Sequence, residues 1–192
     1  MASMESIQDV HDENQHQVDC ETKTIGVKED REYTERQSVR TIIMNTSGEI
    51  AILYAKKDDY YKLPGGGIEE GENHQAAGTR EAMEEIGCRV KMSKRCLAIT
   101  EEWRLGKLHL HQISYCYVAH VLEDTGATAL TEEEIEDGLE HRWVHVDEAI
   151  KLMKEANPTS AFGLSVKERD LYFVEKFAAA LEPPANPRQL WR

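Results

Sequence analysis

The stretch from Gly65 to Cys88, GGGIEEGENHQAAGTREAMEEIGC, constrains this chain more than any other part of it. Three consecutive glycines open it, followed by a polar turn. The segment HQAAGTREAMEEIG then has helical character and meets a helix-ending glycine at Gly87. Ala76, Thr79, Met83 and Ile86 form the expected buried stripe of that helix. Glu81, Glu84 and Glu85 stand at i, i+3 and i+4, so on a helix they leave from one face and converge. Three unpaired carboxylates so arranged repel one another, and a cation between them turns that repulsion into attraction. Hard carboxylate oxygens suit Mg²⁺ or Mn²⁺ rather than a soft metal. Taken alone, an E-x-x-E-E run reads more simply as a solvated acidic helix face, and a glycine run as a turn. What separates the two readings is the register of the neighbouring residues.

That register is specific. Gly66, Glu72, Arg80, Glu81, Glu84, Glu85 and Gly87 fall at G, five residues, E, seven residues, R-E, two residues, E-E, one residue, G. The pattern resembles the signature box of the Nudix hydrolase family. The resemblance covers Gly65 to Cys88 by motif and about Val39 to Ile150 by element order. It departs at Ala82 and Cys88, where the family prefers larger aliphatic residues. It implies an α/β fold, the Nudix α/β/α sandwich with a mixed β-sheet between helices. It also implies a metal site at Glu81, Glu84 and Glu85 with a backbone carbonyl at Gly65, and an Arg80 that orients a carboxylate. The implied cofactor is Mg²⁺ (or Mn²⁺), and the implied catalytic set is Glu81, Arg80, Glu84 and Glu85. Glu81 is favoured as the base, and the downstream glutamates Glu133, Glu134 and Glu136 are the alternative.

Around the box the chain reads as one domain over residues 36–181. SVRTIIMN and EIAILYAK, joined at Asn45-Thr46-Ser47-Gly48, have hairpin character. Strands are expected at RCLAITEEW, LHLHQISYCYVAHVL and HRWVHV, with an exposed loop at GATALTEEEIEDG. A short helix is expected over Asp147 to Glu155. A second is expected from Ser165, capped by Ser165 and Glu168, with Leu171, Val174, Ala178 and Leu181 on its apolar face. Residues 1–24 are polar and aperiodic, the composition of a disordered tail, and the Pro-rich residues 182–192 read as extended.

Composition narrows the function classes. A formal net charge of −13 disfavours broad nucleic-acid binding, which needs clustered Lys and Arg. No apolar run suits a membrane span, and the first residues lack a signal-peptide pattern. Cys20, Cys88, Cys96 and Cys116 form no C-x-x-C pair, so reduced thiols and a cytoplasmic setting are expected. Homodimerisation is left open.

The expected partner is a small phosphoanhydride: a nucleoside diphosphate derivative, foremost a nucleoside triphosphate, ordinary or oxidised. Arg40, Lys62, Glu102 and Arg104 are the expected substrate-binding residues, within a wider search set that adds Tyr54, Trp103, His109, His111 and Tyr115. For each of these the bland alternative is a packed or solvated side chain. Two rivals remain. One is a diphosphoinositol polyphosphate substrate, needing a basic pocket from Lys56, Lys57, Lys62, Arg104 and Lys107. The other is a non-catalytic ligand sensor, which the full set of box glutamates disfavours.

Overall fold

The computed structural model describes residues 20–106 and 109–181. It contains seven strands: β1 Thr22–Gly26, β2 Thr34–Met44, β3 Ile50–Ala55, β4 Tyr60–Lys62, β5 Cys88–Arg104, β6 Leu110–Asp124 and β7 Leu139–Val144. The helices are α1 His74–Ile86, α2 Glu132–Glu136, α3 Val146–Glu155 and α4 Ala161–Leu181. The strands form one mixed sheet in the order β1-β5-β6-β2-β3-β4, with β7 on the other edge of β3. β1 with β5 and β2 with β6 run parallel, and the remaining pairs are antiparallel.

Both faces of the central strands are covered, which is why SVRTIIM is apolar without alternation at its end. Ile42, Ile50, Ile52, Cys116 and Ala98 face α3 and α4 through Met153, Phe173, Val174 and Phe177. Ile43, Ala51, Leu53 and Ala119 face α1 through Ala82 and Ile86. Each fully buried Ile or Leu here contributes roughly 1.5–3 kcal/mol. The result is the expected α/β/α sandwich.

β2 and β3 pair in register only at Met44 and Ile50. Beyond that point the glycine-rich segment takes the vacated edge of β2. Thr41 N–H donates to the Pro64 carbonyl (2.8 Å), Val39 N–H to that of Gly66 (3.0 Å), and Ile68 N–H to that of Gln37 (3.1 Å). Gly65 lies at φ 137°, and a Cβ there would sit 2.1 Å from the Val39 carbonyl oxygen. Only glycine fits this wedge.

Several local expectations are corrected. The segment expected to be a tail ends in strand: Thr22 to Thr24 belong to β1, which pairs with β5 from Thr22–Ile99 to Gly26–Trp103. The alternation in TKTIG buries Ile25. Residues 1–19 and 182–192 lie outside the described residues. The loop GATALTEEEIEDG contains α2, begun by a capping box between Thr131 and Glu134. The buried face of α1 is Ala77, Gly78, Ala82, Glu85 and Ile86, with Ala76 and Thr79 exposed. The face is rotated because a charged residue, Glu85, points inward. α4 begins at Ala161, before Ser165; the cap is Ser160, whose Oγ accepts the Gly163 N–H (2.8 Å). The apolar face of α4 is carried by Val166, Phe173, Val174 and Phe177, while Leu181 is exposed.

Asp58 anchors the start of α4. Its carboxylate accepts the Thr159 and Ser160 N–H groups (2.9 and 3.1 Å) and both hydroxyls. The hydrogen bond from the Ser160 hydroxyl leads in holding its pKa down to about 2, from an ordinary 3.8. A depressed folded-state pKa stabilises the fold above the ordinary value and loses that contribution as pH falls through about 2. Asp58→Ala is therefore expected to lower Tm at neutral pH. The gap to wild type should narrow between about pH 4 and pH 2, which thermal melts across that range would measure.

Candidate metal and phosphoanhydride site

The site is assembled where the N-terminal end of the glycine wedge meets α1. Asn73 Oδ1 caps α1 by accepting the Ala76 N–H (2.9 Å), and Gly87 closes it in the left-handed conformation at φ 67°. These caps fix the register that brings Glu81, Glu84 and Glu85 toward Gly65–Gly67. Gly66 matters for a steric reason: a Cβ there would lie 2.1 Å from Glu81 Oε1. The carboxylate fills the space that any other residue would occupy.

The carboxylates are not unpaired, contrary to the simplest reading of their spacing. Arg80 donates through Nε to Glu72 (2.8 Å), through Nη1 to Glu81 (2.9 Å) and Glu84 (3.0 Å), and through Nη2 to Glu72 (3.1 Å) and the Gly67 carbonyl (3.0 Å). The guanidinium pKa is raised chiefly by the Glu72 hydrogen bond. Glu85 is almost fully buried. Its Oε2 accepts the Gly65 N–H (2.7 Å) and its Oε1 the Lys62 ammonium (2.7 Å). Burial pushes the Glu85 carboxyl up to about 7, with Lys62 opposing. Burial also raises Glu81, against the pull of Arg80. For Lys62 burial works against the charge, but Glu85 outweighs it and the pKa is raised.

Among the described residues, no three His, Cys, Asp or Glu side chains converge closely enough to hold a metal ion. Arg80 and Lys62 instead engage one oxygen of each carboxylate: Glu81 Oε1, Glu84 Oε2 and Glu85 Oε1. The donor set nonetheless fits a hard divalent ion. It offers carboxylates from one helix face, beside a glycine segment with no side chain in the way.

Of the downstream glutamates, Glu134 approaches this cluster, 3.6 Å from Lys62, whereas Glu133 and Glu136 are exposed. Arg40 lies under Gly65 and is buried. Its Nη1 donates to the Val39 carbonyl (2.8 Å), and its Nε has no partner. Burial first, then Arg169, lowers its pKa to about 10.

Glu102 is not on the cleft surface. It is completely buried, accepting from Gln112 (3.3 Å), Ser114 (3.1 Å) and Ser165 (2.9 Å), with Arg169 Nη1 at 3.6 Å. Every direction open to its carboxylate is filled by protein, so it organises the wall instead of meeting a ligand. Arg104 is half-buried; it donates to Gln112 (3.0 Å), and its Nε lacks a partner.

The aromatic search set divides. Trp103 stacks on His111 (3.7 Å between ring centroids), and His109 is near Tyr33 (5.9 Å). Tyr115 packs on His74 (4.3 Å), and Tyr54 stacks on Tyr61 (4.6 Å). Tyr54 is also tied to Asp59 (2.9 Å), the bland role in each of the last two cases.

Sequence reasoning missed Arg36, whose guanidinium nitrogen is 3.2 Å from where a Gly67 side chain would begin. It also missed the α4 pair Arg169 and Asp170. Asp170 accepts the Leu63 N–H (2.8 Å) and the Arg169 Nε–H (2.6 Å). The alternation Arg36, Ser38, Arg40 ahead of Ile42 was the available signal for a polar patch on that sheet face.

The family model for the NUDIX domain matches residues 34–162. Human diphosphoinositol polyphosphate phosphohydrolase 2 is 31% identical over 112 residues, covering 58% of this chain and 57% of the relative. RNA pyrophosphohydrolase of Wolbachia pipientis is 32% identical over 92 residues, covering 47% of this chain and 54% of the relative. The chain thus spans little more than half the length of these curated relatives. Among solved structures, the MutT protein from Methanosarcina mazei superposes with a TM-score of 0.55 at 18% identity, over 80% of this chain and 100% of that one. With the family model spanning most of the sandwich and the box glutamates on one face of α1, this chain belongs to the NUDIX domain family.

Proposed function

We propose that the protein is a Mg²⁺-dependent (or Mn²⁺-dependent) pyrophosphohydrolase of nucleoside diphosphate derivatives, foremost nucleoside triphosphates. The carrying observation is the meeting of Glu81, Glu84 and Glu85 with the Gly65–Gly67 segment under the control of Arg80. A divalent cation held by those carboxylates and the Gly65 carbonyl would neutralise the pyrophosphate oxygens and make a nearby water more acidic. The chain supplies the rest. Arg80 fixes the carboxylates, and the glycine segment lets phosphate approach the backbone. Glu81 accepts the proton of the water that attacks phosphorus. The P–O bond of the anhydride breaks, and the departing phosphate carries the electron pair away. All four cysteines are free, which suits a reducing cytoplasm.

A diphosphoinositol polyphosphate substrate is the second reading, favoured by the name of the human relative. The charge distribution speaks against it. Lys56 is paired with Glu140, Lys57 with Asp137 (2.9 Å) and Lys62 with Glu85, and Arg104 shares Glu102. Lys107 lies outside the described residues. A densely anionic ligand needs clustered, uncommitted cations; Lys62 is committed to the buried Glu85, and the other three each stand beside a carboxylate of their own. A sensor role loses support from the intact box.

Three measurements test the proposal. Hydrolysis with Mg²⁺ should be found on at least one nucleoside triphosphate or nucleoside diphosphate conjugate; turnover confined to inositol pyrophosphates would overturn the nucleotide reading. Glu84→Gln should keep the fold, by circular dichroism, and lose about 10²-fold or more in turnover; turnover within about threefold of wild type would remove Glu84 from the metal set. For the base, Glu81→Gln should depress turnover by about 10² to 10⁴ even at saturating Mn²⁺, beyond what any weaker Mn²⁺ binding explains, and Glu134→Gln much less. The reverse pattern, with Glu81→Gln mainly weakening Mn²⁺ binding, would make Glu134 the acceptor.

A further inference from the structure

Two thiols meet on the α1 face of the sheet, at its β1 edge. Cys20 Sγ donates to the Cys96 carbonyl at 2.9 Å, although the two residues stand 76 positions apart in sequence. The pairing of β1 with β5 explains the meeting. Thr22 is opposite Ile99, and the Ile99 N–H donates to the Glu21 carbonyl (3.1 Å), so the parallel register carries past the start of the strand. Continued to Cys20, it sets that residue beside Leu97 and next to Cys96. One strand spacing across and one residue rise along separate the two Cα atoms by about 6 Å, inside the range of roughly 4.4–6.8 Å that a disulfide spans.

Both side chains leave from the same face. Glu21 and Lys23 turn toward α4, where they meet Lys176 and Glu168. By the alternation of an extended chain, Cys20 and Thr22 turn toward α1. On β5, Cys96 packs beside Val39, Ala77, Tyr115 and Tyr117 in the layer beneath α1. The Cys96 thiol also donates to the Cys116 carbonyl (3.4 Å), but the Cys116 side chain points the other way, into the layer beneath α3 and α4. Cys88 belongs to a separate cluster with Ala82 and Ile86. Cys20 is therefore the thiol that Cys96 faces.

The pair is asymmetric. Burial pushes the Cys96 thiol up to about 12, and the Cys20 thiol beside it adds to the rise. A thiol held protonated reacts slowly with oxidants. Cys20 is half-buried and stands just ahead of β1, the edge strand of the sheet, so it is the thiol of the pair that an oxidant meets first. It belongs to none of the three hydrophobic clusters, and packing gives no reason for a thiol at that position. Cys20 also precedes the segment matched by the family model, residues 34–162, whereas Cys96 lies within it. The pair is thus a feature of this chain more than of the shared domain.

We propose that Cys20 and Cys96 form a reversible thiol–disulfide site, oxidised by hydrogen peroxide, that fastens β1 to β5. The Cys20 sulfur attacks a peroxide oxygen, the O–O bond breaks, and Cys20 becomes a sulfenic acid as one water leaves. The Cys96 sulfur then attacks the Cys20 sulfur, the S–O bond breaks, and the hydroxyl departs with the Cys96 proton as a second water. Two thiols together lose two electrons and two protons, and the peroxide takes them up. β1 is paired with β5 alone among the described strands, so one covalent bond at its start changes how firmly it is held. The same strand walls, with Ile25 and Gly26, one side of a cavity of about 460 Å³ whose other side is the first turns of α4.

The test uses the full chain, first fully reduced and then treated with a small excess of hydrogen peroxide. Peptide mapping by mass spectrometry without reductant should find Cys20 joined to Cys96, with two hydrogens lost. Tm should rise by about 5 °C or more, and dithiothreitol should return it to the reduced value. Cys20→Ser changes a half-buried residue outside the core, so it should fold normally with the Tm of the reduced wild type, and peroxide should bring no rise. Brief labelling of the reduced native protein with iodoacetamide should mark Cys20 ahead of Cys96. A disulfide joining Cys96 to Cys116, a bond between two chains, or a sulfinic acid at Cys20 without a cross-link would overturn the inference. So would labelling of Cys96 first, or a cross-link that forms and leaves Tm unchanged, since β1 would then gain nothing from it.

Discussion

The hydrogen bonds from the Gly65 N–H and the Lys62 ammonium to the Glu85 carboxylate hold the functional end of this molecule together. One buried side chain joins the box helix to the glycine wedge, and the wedge is in turn sewn to β2. A carboxylate so deeply buried is costly unless fully satisfied. Here both oxygens are engaged, and a cation balances the charge. The helix cannot slide along its axis, nor the wedge lift from β2, without exposing that carboxylate to an apolar interior.

The same logic continues on the far side of the wedge. Leu63, two residues before Gly65, gives its N–H to Asp170, and Asp170 is held by Arg169, which also faces Glu102. A polar lattice thus runs from α1 through the wedge to α4, inside what would otherwise be an oily interface. Its members are satisfied by one another, apart from the Nε atoms of Arg40 and Arg104. Buried polar networks specify geometry sharply because a half-made one is worse than none. That sharpness suits the proposed site, in which several carboxylates would sit within ångströms of a phosphate.

Local signals made the box legible in the sequence: Asn73 and Gly87 cap α1 with their own side chain and backbone, needing nothing distant. The individual strands were legible from β-branched runs, and their mixed sheet only from the family resemblance. Failures came where distant partners decide. The spacing groups Glu85 with Glu81 and Glu84 as a converging acidic set, and only Lys62 and Gly65, brought from elsewhere, bury it, so the buried face of α1 was misjudged. Ser160 and Ser165 are both acceptable caps. The choice fell to Ser160 because Asp58 grips its neighbourhood and Glu102 claims the Ser165 hydroxyl. Thr22 to Gly26 is too short and polar to declare itself as a strand without the edge of β5. The approach of Phe162 to Arg104 and of Arg36 to Gly67 was invisible because no local pattern says which distant elements will meet.

The cavity beside α4 is walled by Gly26 of β1 and by Glu168 of α4, which lie far apart in sequence. Its walls therefore cannot coexist until α4 has been made. A nascent chain that has completed the box and all seven strands still has no partner for the Leu63 N–H and no Phe162 ring beside Arg104. Chains emerge N-terminus first, and contacts between distant residues form slowly. The α4 wall of that cavity thus forms after β1 to β7, and a ribosome that stalls before α4 releases a box without it.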